Sequence, residues 1–313
     1  MFSYLLKRVL ATIPVMLFVA VFIFLLLRLT PGDPAAMIAG DFATDDQIAA
    51  IRAELGLEEP LWRQFTIWFG NVLQFELGNS FYYKKQVSEL ILNRIEPTLS
   101  LSLMTIVLTV LIAVPLGTWA AYKQGSWFDR TIMGFSVLGF SVPVFVIGYA
   151  LIYVFSVELR WLPVQGYQRI ADGIGGWAYR LILPSVALSV IFVAFIARMT
   201  RTSVLEVLGE DYIRTARAKG QTETKVMMRH ALRNAAVPIV TVIGLAIAIL
   251  IGGVVVTESV FTIPGLGLLT VEAVLNRDFP TIQAVILFFS VIYVGINLLI
   301  DVSYTLLDPR IRY

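Results

Sequence analysis

The chain has 313 residues, of which 58% are apolar and only 15% charged, and its formal net charge is +2. Soluble domains run at roughly 45–50% apolar and about 25% charged, so the composition excludes an ordinary soluble globule and points to an all-α polytopic membrane protein. With no cysteine and a single histidine, His230, disulfides, thiolate zinc sites, cysteine nucleophiles and His-rich metal centres are excluded, and the near-neutral balance offers nothing to nucleic acid.

Lys7 and Arg8 precede an apolar run from Val9 to Leu27. That run of 19 residues exceeds the roughly 7–15 of a cleaved signal's apolar core, so it is expected to remain as the first span. Five more charge-free runs follow, at 101–122, 131–157, 181–197, 236–257 and 281–300. Each approaches or exceeds the about 20 residues that cross a bilayer's hydrocarbon, which predicts six transmembrane helices. The third run is interrupted by Gly139, Pro143 and Gly148, and is expected to kink or to hold two half-helices. Such a break faces protein, which satisfies the freed carbonyl; bending for packing and a functional hinge both fit.

Lysine and arginine in the short loops set the orientation. Residues 123–130 hold Lys123 and Arg130; residues 198–235 hold Arg198, Arg201, Arg214, Arg217, Lys219, Lys225, Arg229 and Arg233. Both termini add to the same side, through Lys7, Arg8, Arg310 and Arg312. The opposite side receives the 258–280 loop, with Glu258, Glu272 and Asp278 against Arg277, and the 30–97 loop, with ten acids and five basic residues. Both termini are therefore expected in the cytoplasm.

The 30–97 loop is patterned. Thr44 to Gln47 reads as a capping box, followed by Ile48, Ile51 and Leu55 at helical spacing and by Gly56 as the stop. Pro60 can open a second helix, in which Trp62, Phe65, Trp68, Phe69 and Leu73 form an apolar stripe. That stripe suits the membrane interface or packing on the ends of the spans. A third helix is expected over Val87 to Ile95. With no tandem repeat and no low-complexity tract, 1–313 reads as a single integral domain. It comprises a first span with its outer loop (1–97) and a five-span core (98–313) that carries a basic loop at 203–235.

An energy source is hard to find in this chain. Ionisable groups within spans mark ion coupling, and the six runs contain none. No lysine follows a glycine, so a nucleotide phosphate loop is missing, as are a Gly-x-Ser-x-Gly elbow and a His-Glu-x-x-His zinc motif. The sequence therefore reads as non-catalytic, with no cofactor or metal held in the chain. Energy would have to arrive from another subunit.

The segment from Asp211 to Pro238 is the place for that. Asp211 is expected to cap a short helix starting at Tyr212. Ala216 and Ala218 are small enough for a partner's close approach, and Gly220 can turn the chain in a left-handed conformation. Thr222 is expected to cap a second helix, with Glu223 in its first turn. Val226, Met227, His230, Ala231 and Asn234 line one stripe of that helix, and Lys225, Arg229 and Arg233 another. By itself this pattern suits either a partner contact or a positive-inside loop lying on anionic lipid.

The segment resembles the cytoplasmic Glu-Ala-Ala loop of ABC-transporter permeases. Gly220 and Pro238 stand at that loop's spacing and Ala216 matches its second alanine, while Arg214 and Thr215 replace the Glu and first Ala. Residues 211–220 and His230-Ala-Leu-Arg-Asn234 are similar to the dipeptide/oligopeptide/nickel branch. So are Thr30-Pro-Gly-Asp-Pro34, Leu55-Gly-Leu57 with Pro60 and Leu61, Glu258-Ser-Val-Phe261, Pro264-Gly-Leu-Gly267 and the tail Asp308 to Tyr313.

The resemblance implies a type I importer permease fold in a bacterial inner membrane, importing di- or oligopeptides or glutathione; a nickel importer of the same branch and an ATP-independent channel or scaffold are the alternatives. It implies a second permease, two ATP-binding subunits that carry ATP and Mg, and a periplasmic solute-binding protein that would dock on the 30–97 loop. Asp211, Tyr212, Arg214, Ala216, Ala218, Gly220 and Thr222 would contact the ATP-binding subunit. Among polar residues of the spans, Ser136, Ser141 and Asn297 are candidates for lining the pathway, or for joining helices.

Overall fold

A computed structural model describes residues 2–29, 35–36, 44–54 and 56–307. The Thr30 to Pro34 motif, Leu55 and the Asp308 to Tyr313 tail lie outside the described residues. Regular structure among the described residues is helical, apart from one isolated bridge between Asn79 and Gln86. The helices are α1 (Phe2–Leu29), α2 (Asp45–Glu54), α3 (Leu61–Leu73), α4 (Val87–Tyr122), α5 (Trp127–Ser141), α6 (Val144–Leu151), α7 (Ile174–Leu208), α8 (Asp211–Ala218), α9 (223–234), α10 (Ala236–Phe261), α11 (Leu266–Leu275) and α12 (Phe279–Leu307). Five of these are long and apolar enough to cross a membrane, and a bent pair can make a sixth span.

That pair is the interrupted third run. α5 ends at Ser141, Pro143 becomes the N-cap of α6, and the two axes differ by 103°. Proline has no N–H to give a continuing helix, yet its fixed φ suits a helix start. The break falls there and not at Gly139 or Gly148, which lie inside helices. Beyond Leu151 the second half winds into a π-helical stretch, Ile152–Glu158.

The helices overrun the charge-free runs because the flanking charges have partners. The helix expected over Val87 to Ile95 is not separate: it is the opening of the 36-residue α4, which continues through Pro97. Glu96 explains the continuation, since its carboxylate accepts from Tyr167 Oη at 3.2 Å and Ile170 N at 3.0 Å and faces Arg169. Burial pushes the Tyr167 phenol above its ordinary pKa, so it stays a neutral donor. Likewise Glu258, an expected loop acid, falls within α10 and is fully buried. It accepts from Thr98 Oγ1 at 2.6 Å and Leu268 N at 3.0 Å, and Thr98 in turn accepts from Leu266 N at 2.8 Å. A buried carboxylate is tolerated when it is supplied with donors in this way.

Two compact units divide the chain. One contains Arg94–Leu268 and the chain from Tyr293 onward. α7 is its spine and packs against α5, α6 and α10. Leu181, Leu188, Phe192, Val193 and Ile196 of α7 meet Leu101, Val242, Leu250 and Val254 in one core. In α7 67% of the apolar window is buried, against 17% in α1 and in α12, so α7 is the helix shielded by its own chain.

The other unit holds Phe2–Asn93 and Leu269–Ile292. Thr44 and Gln47 close the expected capping box, with Thr44 N donating to Gln47 Oε1 at 3.0 Å and Gln47 N to Thr44 Oγ1 at 3.4 Å. In α3 the aromatic stripe divides. Trp68, Phe69 and Val72 pack with Ala20, Ile23 and Leu287, and Phe65 meets Phe24 edge to face at 5.3 Å. Trp62 and Leu73 remain exposed. Gln64 is buried, accepting from Arg28 Nε at 2.9 Å and donating to the Leu57 and Glu59 carbonyls. At the start of α12, buried Asp278 accepts from Ser80 Oγ, Phe81 N and Thr281 Oγ1.

Candidate coupling segment

α7 ends at Leu208, and Gly209-Glu210 turn the chain into α8. Glu210, not Asp211, takes the N-cap position. Asp211 is the first helical residue, its side chain 95% exposed and 3.4 Å from Arg214 Nη1. The expected carboxylate cap is thus a first-turn acid, favoured by the helix dipole. Ile213 is fully buried and is the only side chain of α8 that is. It anchors the helix and leaves Tyr212, Arg214 and Ala218 exposed, with Ala216 half-buried.

The stop at Gly220 is as expected. Its φ is +74°, the left-handed region that glycine enters without a Cβ penalty. Gly220 N donates to Arg217 O at 2.9 Å and Gln221 N to Ala216 O at 3.3 Å, the paired bonds of a Schellman ending. No heavy atom stands within 4 Å of where a Cβ would sit, so the requirement is conformational and not steric. Across the turn the Arg217 guanidinium grips Glu223 with both ends, Nε to Oε1 at 2.9 Å and Nη2 to Oε2 at 3.2 Å.

Thr222 is the N-cap of α9, and among the described residues its side chain makes no capping bond. The middle half of α9 is a π-helical stretch, Val226–Ala231. Val226, Met227 and Ala231 are buried, and the last two join Val204, Ala121, Ala235 and Ile239 in a small core. His230 is half-buried, and its carbonyl accepts from Asn234 Nδ2, which also donates to Tyr212 Oη at 3.0 Å. Lys225, Arg229 and Arg233 are exposed. The result is a helix–turn–helix with a buried underside and an exposed, mixed-charge crest. Beside it opens a cavity of about 520 Å³ lined by Pro115, Trp119, Tyr122, Met227 and Met228.

The pathway candidates stand differently. Ser136 is fully buried and donates to Ile132 O; Ser141 is exposed and donates to Val137 O; Asn297 donates to Tyr293 O. Each bonds to its own helix, and no hydrogen bond among the described residues joins the three. No cluster of three metal-ligating side chains exists among the described residues.

Sequence reasoning missed Ile213, the Arg217–Glu223 grip, the buried Glu258 and an ion pair between Asp129 and Arg201. Only the first left a signal: it is the one large aliphatic side chain in Asp211–Ala218.

Comparison with known proteins agrees with this architecture. Residues 113–313 match the family described as "Binding-protein-dependent transport system inner membrane component", and residues 1–102 match the corresponding N-terminal family. The chain is 55% identical over 310 residues to "Probable peptide ABC transporter permease protein y4tP" of Sinorhizobium fredii, covering 99% of each chain. It is 46% identical to the "Glutathione transport system permease protein GsiC" of Salmonella choleraesuis, covering all of both. Among solved structures, an inward-facing form of the MetNI methionine ABC transporter superposes with a TM-score of 0.59 at 19% identity, covering 70% of this chain and 96% of that one. That last likeness concerns the fold alone.

Proposed function

The chain belongs to the binding-protein-dependent transport system inner membrane component family, and from that premise we propose how it works as the permease subunit of an ATP-driven peptide importer. It forms half of the translocation pathway, beside a second permease, in a bacterial inner membrane. Two separate subunits bind and hydrolyse ATP with Mg, and a periplasmic binding protein delivers the peptide. The relatives named for peptide and glutathione transport favour small peptides as cargo.

The chain itself performs no catalysis. Its task is to convert closure of the ATP-binding subunits into a change in the pathway, a rigid-body transition biased at one interface. The crest of 211–222 is that interface. Asp211, Tyr212, Arg214, Ala218, Gly220 and Thr222 face outward, with Ala216 at the edge, while Ile213 and the α9 underside hold the crest firmly to the protein. The observation that carries the reading is the turn at Gly220: a pre-shaped, exposed corner on a buried footing. The 30–97 loop is the docking surface for the binding protein, which selects the cargo. Ser136, Ser141 and Asn297 stand as pathway candidates.

Replacing Gly220 by Leu tests the reading. A side chain at φ +74° costs about 1–2 kcal/mol and places bulk where the partner docks. ATP hydrolysis by the assembled complex is expected to persist while peptide uptake into vesicles collapses. Normal uptake would contradict the assignment.

A further inference from the structure

α5 is tied to α7 at two levels. At its first turn Asp129, only 3% exposed, receives both Nε and Nη2 of Arg201, the latter at 2.7 Å. Its Oδ2 also accepts from Gly125 N at 2.9 Å, and Ser126 Oγ caps the turn by accepting from Asp129 N at 3.3 Å. Further along, Gly139 lies so near α7 that a Cβ there would stand 2.8 Å from the Ala194 Cβ. Beside it Phe140 and Phe195 meet edge to face at 5.9 Å, and the Arg198 guanidinium carbon lies 5.7 Å from the Phe140 ring.

These two attachments differ in kind. Apolar packing sets distance but yields to a register slip, whereas a two-pronged arginine–carboxylate bond fixes position and angle together. Arg201 occupies a particular place on α7. A few residues further on, Val204, Leu205 and Leu208 pack into the core that holds Met227 and Ala231 of α9. At its far end α5 runs into the 103° break at Val142-Pro143. A continuous line of contacts therefore leads from the coupling segment, through the end of α7 and the ion pair, to the broken span.

We propose that Asp129 and Arg201 are positioning residues for transport: their ion pair makes α5, and the break at its end, follow the displacement that the ATP-binding subunit imposes on 211–234 and α7. The pair acts through α5 and touches neither peptide nor nucleotide. This assignment rests on the coupling reading above and adds which span moves.

The test uses the whole reconstituted complex with its binding protein and reads ATP hydrolysed per peptide imported. Asp129→Asn, which keeps the shape but loses the charge, is expected to raise that ratio about ten-fold or more, within the range of coupling factors between sites. Arg201→Lys, which keeps the charge but loses the fork, is expected to raise it less. Because the chain has no cysteine, the two thiols of the double variant Asp129→Cys with Arg201→Cys are the only pair that can be bridged within this subunit. It should be uncoupled when free and recover when a short bifunctional thiol reagent ties the two helices, a recovery that a merely stabilising role does not predict. Unchanged coupling in Asp129→Asn beside a wild type that transports overturns the joint alone. So does a bridged double variant that stays uncoupled, and so does failure of all the variants to assemble, which would make the pair a folding element. A wild-type complex that hydrolyses ATP without importing peptide would overturn the coupling reading itself.

Discussion

Two of the arginine–carboxylate pairs among the described residues share the same two-pronged chemistry in opposite settings. Arg217 and Glu223 close a surface turn, with side chains 42% and 43% exposed; Arg201 and Asp129 join two helices, at 21% and 4%. In water a pair of exposed charges gains little, because solvent already stabilises each ion and salt screens the attraction. Where the pair is largely buried it contributes mainly by what its loss leaves behind, a charge with no partner and less water. The same two side-chain types therefore close a surface turn in one place and tie two helices together in the other.

Substitutions can break or sharpen that contrast. Asp129→Ala takes both bonds from Arg201, whose side chain keeps 21% exposure, and should cost about 1.5–3 kcal/mol, seen as a large drop in the detergent melting temperature; a drop as small as the surface pair's would erase the distinction. Glu258→Ala is the next largest. It orphans Leu268 N and leaves Thr98 only the longer bond to the Arg94 carbonyl at 3.3 Å, at about 1–3 kcal/mol for the group left unmet, measurable in the same melt. Gly220→Ala separates conformation from bulk: the left-handed penalty of about 1–2 kcal/mol remains, so stability should fall slightly more than uptake, the reverse of Gly220→Leu. Arg217→Ala should lower stability by less than about 1 kcal/mol, and that loss should vanish in high salt. A salt-insensitive loss would show that the surface grip is more buried in function than it stands here.

What was legible in the sequence follows the same division. Hydropathy located the five long apolar helices and the bent pair that can make a sixth span, and the break at Pro143 was foreseeable because proline both ends one helix and begins another. The helix–glycine–helix of 211–234 was readable from Gly220 and Thr222, whose roles are local. Helix ends were misjudged wherever a charge had a distant partner: Glu96 with Tyr167 and Ile170, or Glu258 with Thr98, let helices run past the charge-free runs. The cap was placed at Asp211 because one sequence position decides little between two adjacent acids. Asp129 and Arg201, 72 residues apart, gave no local sign at all, since their meaning arises only once α5 lies against α7.

The central claim is that the crest of 211–222 docks an ATP-binding subunit and does not lie on lipid. A photo-crosslinking side chain in place of Ala218, exposed on that crest, tests it in native membranes. The account predicts an adduct with a subunit bearing a nucleotide phosphate loop, formed at a level that changes when ATP is trapped. Adducts with phospholipid alone would contradict it.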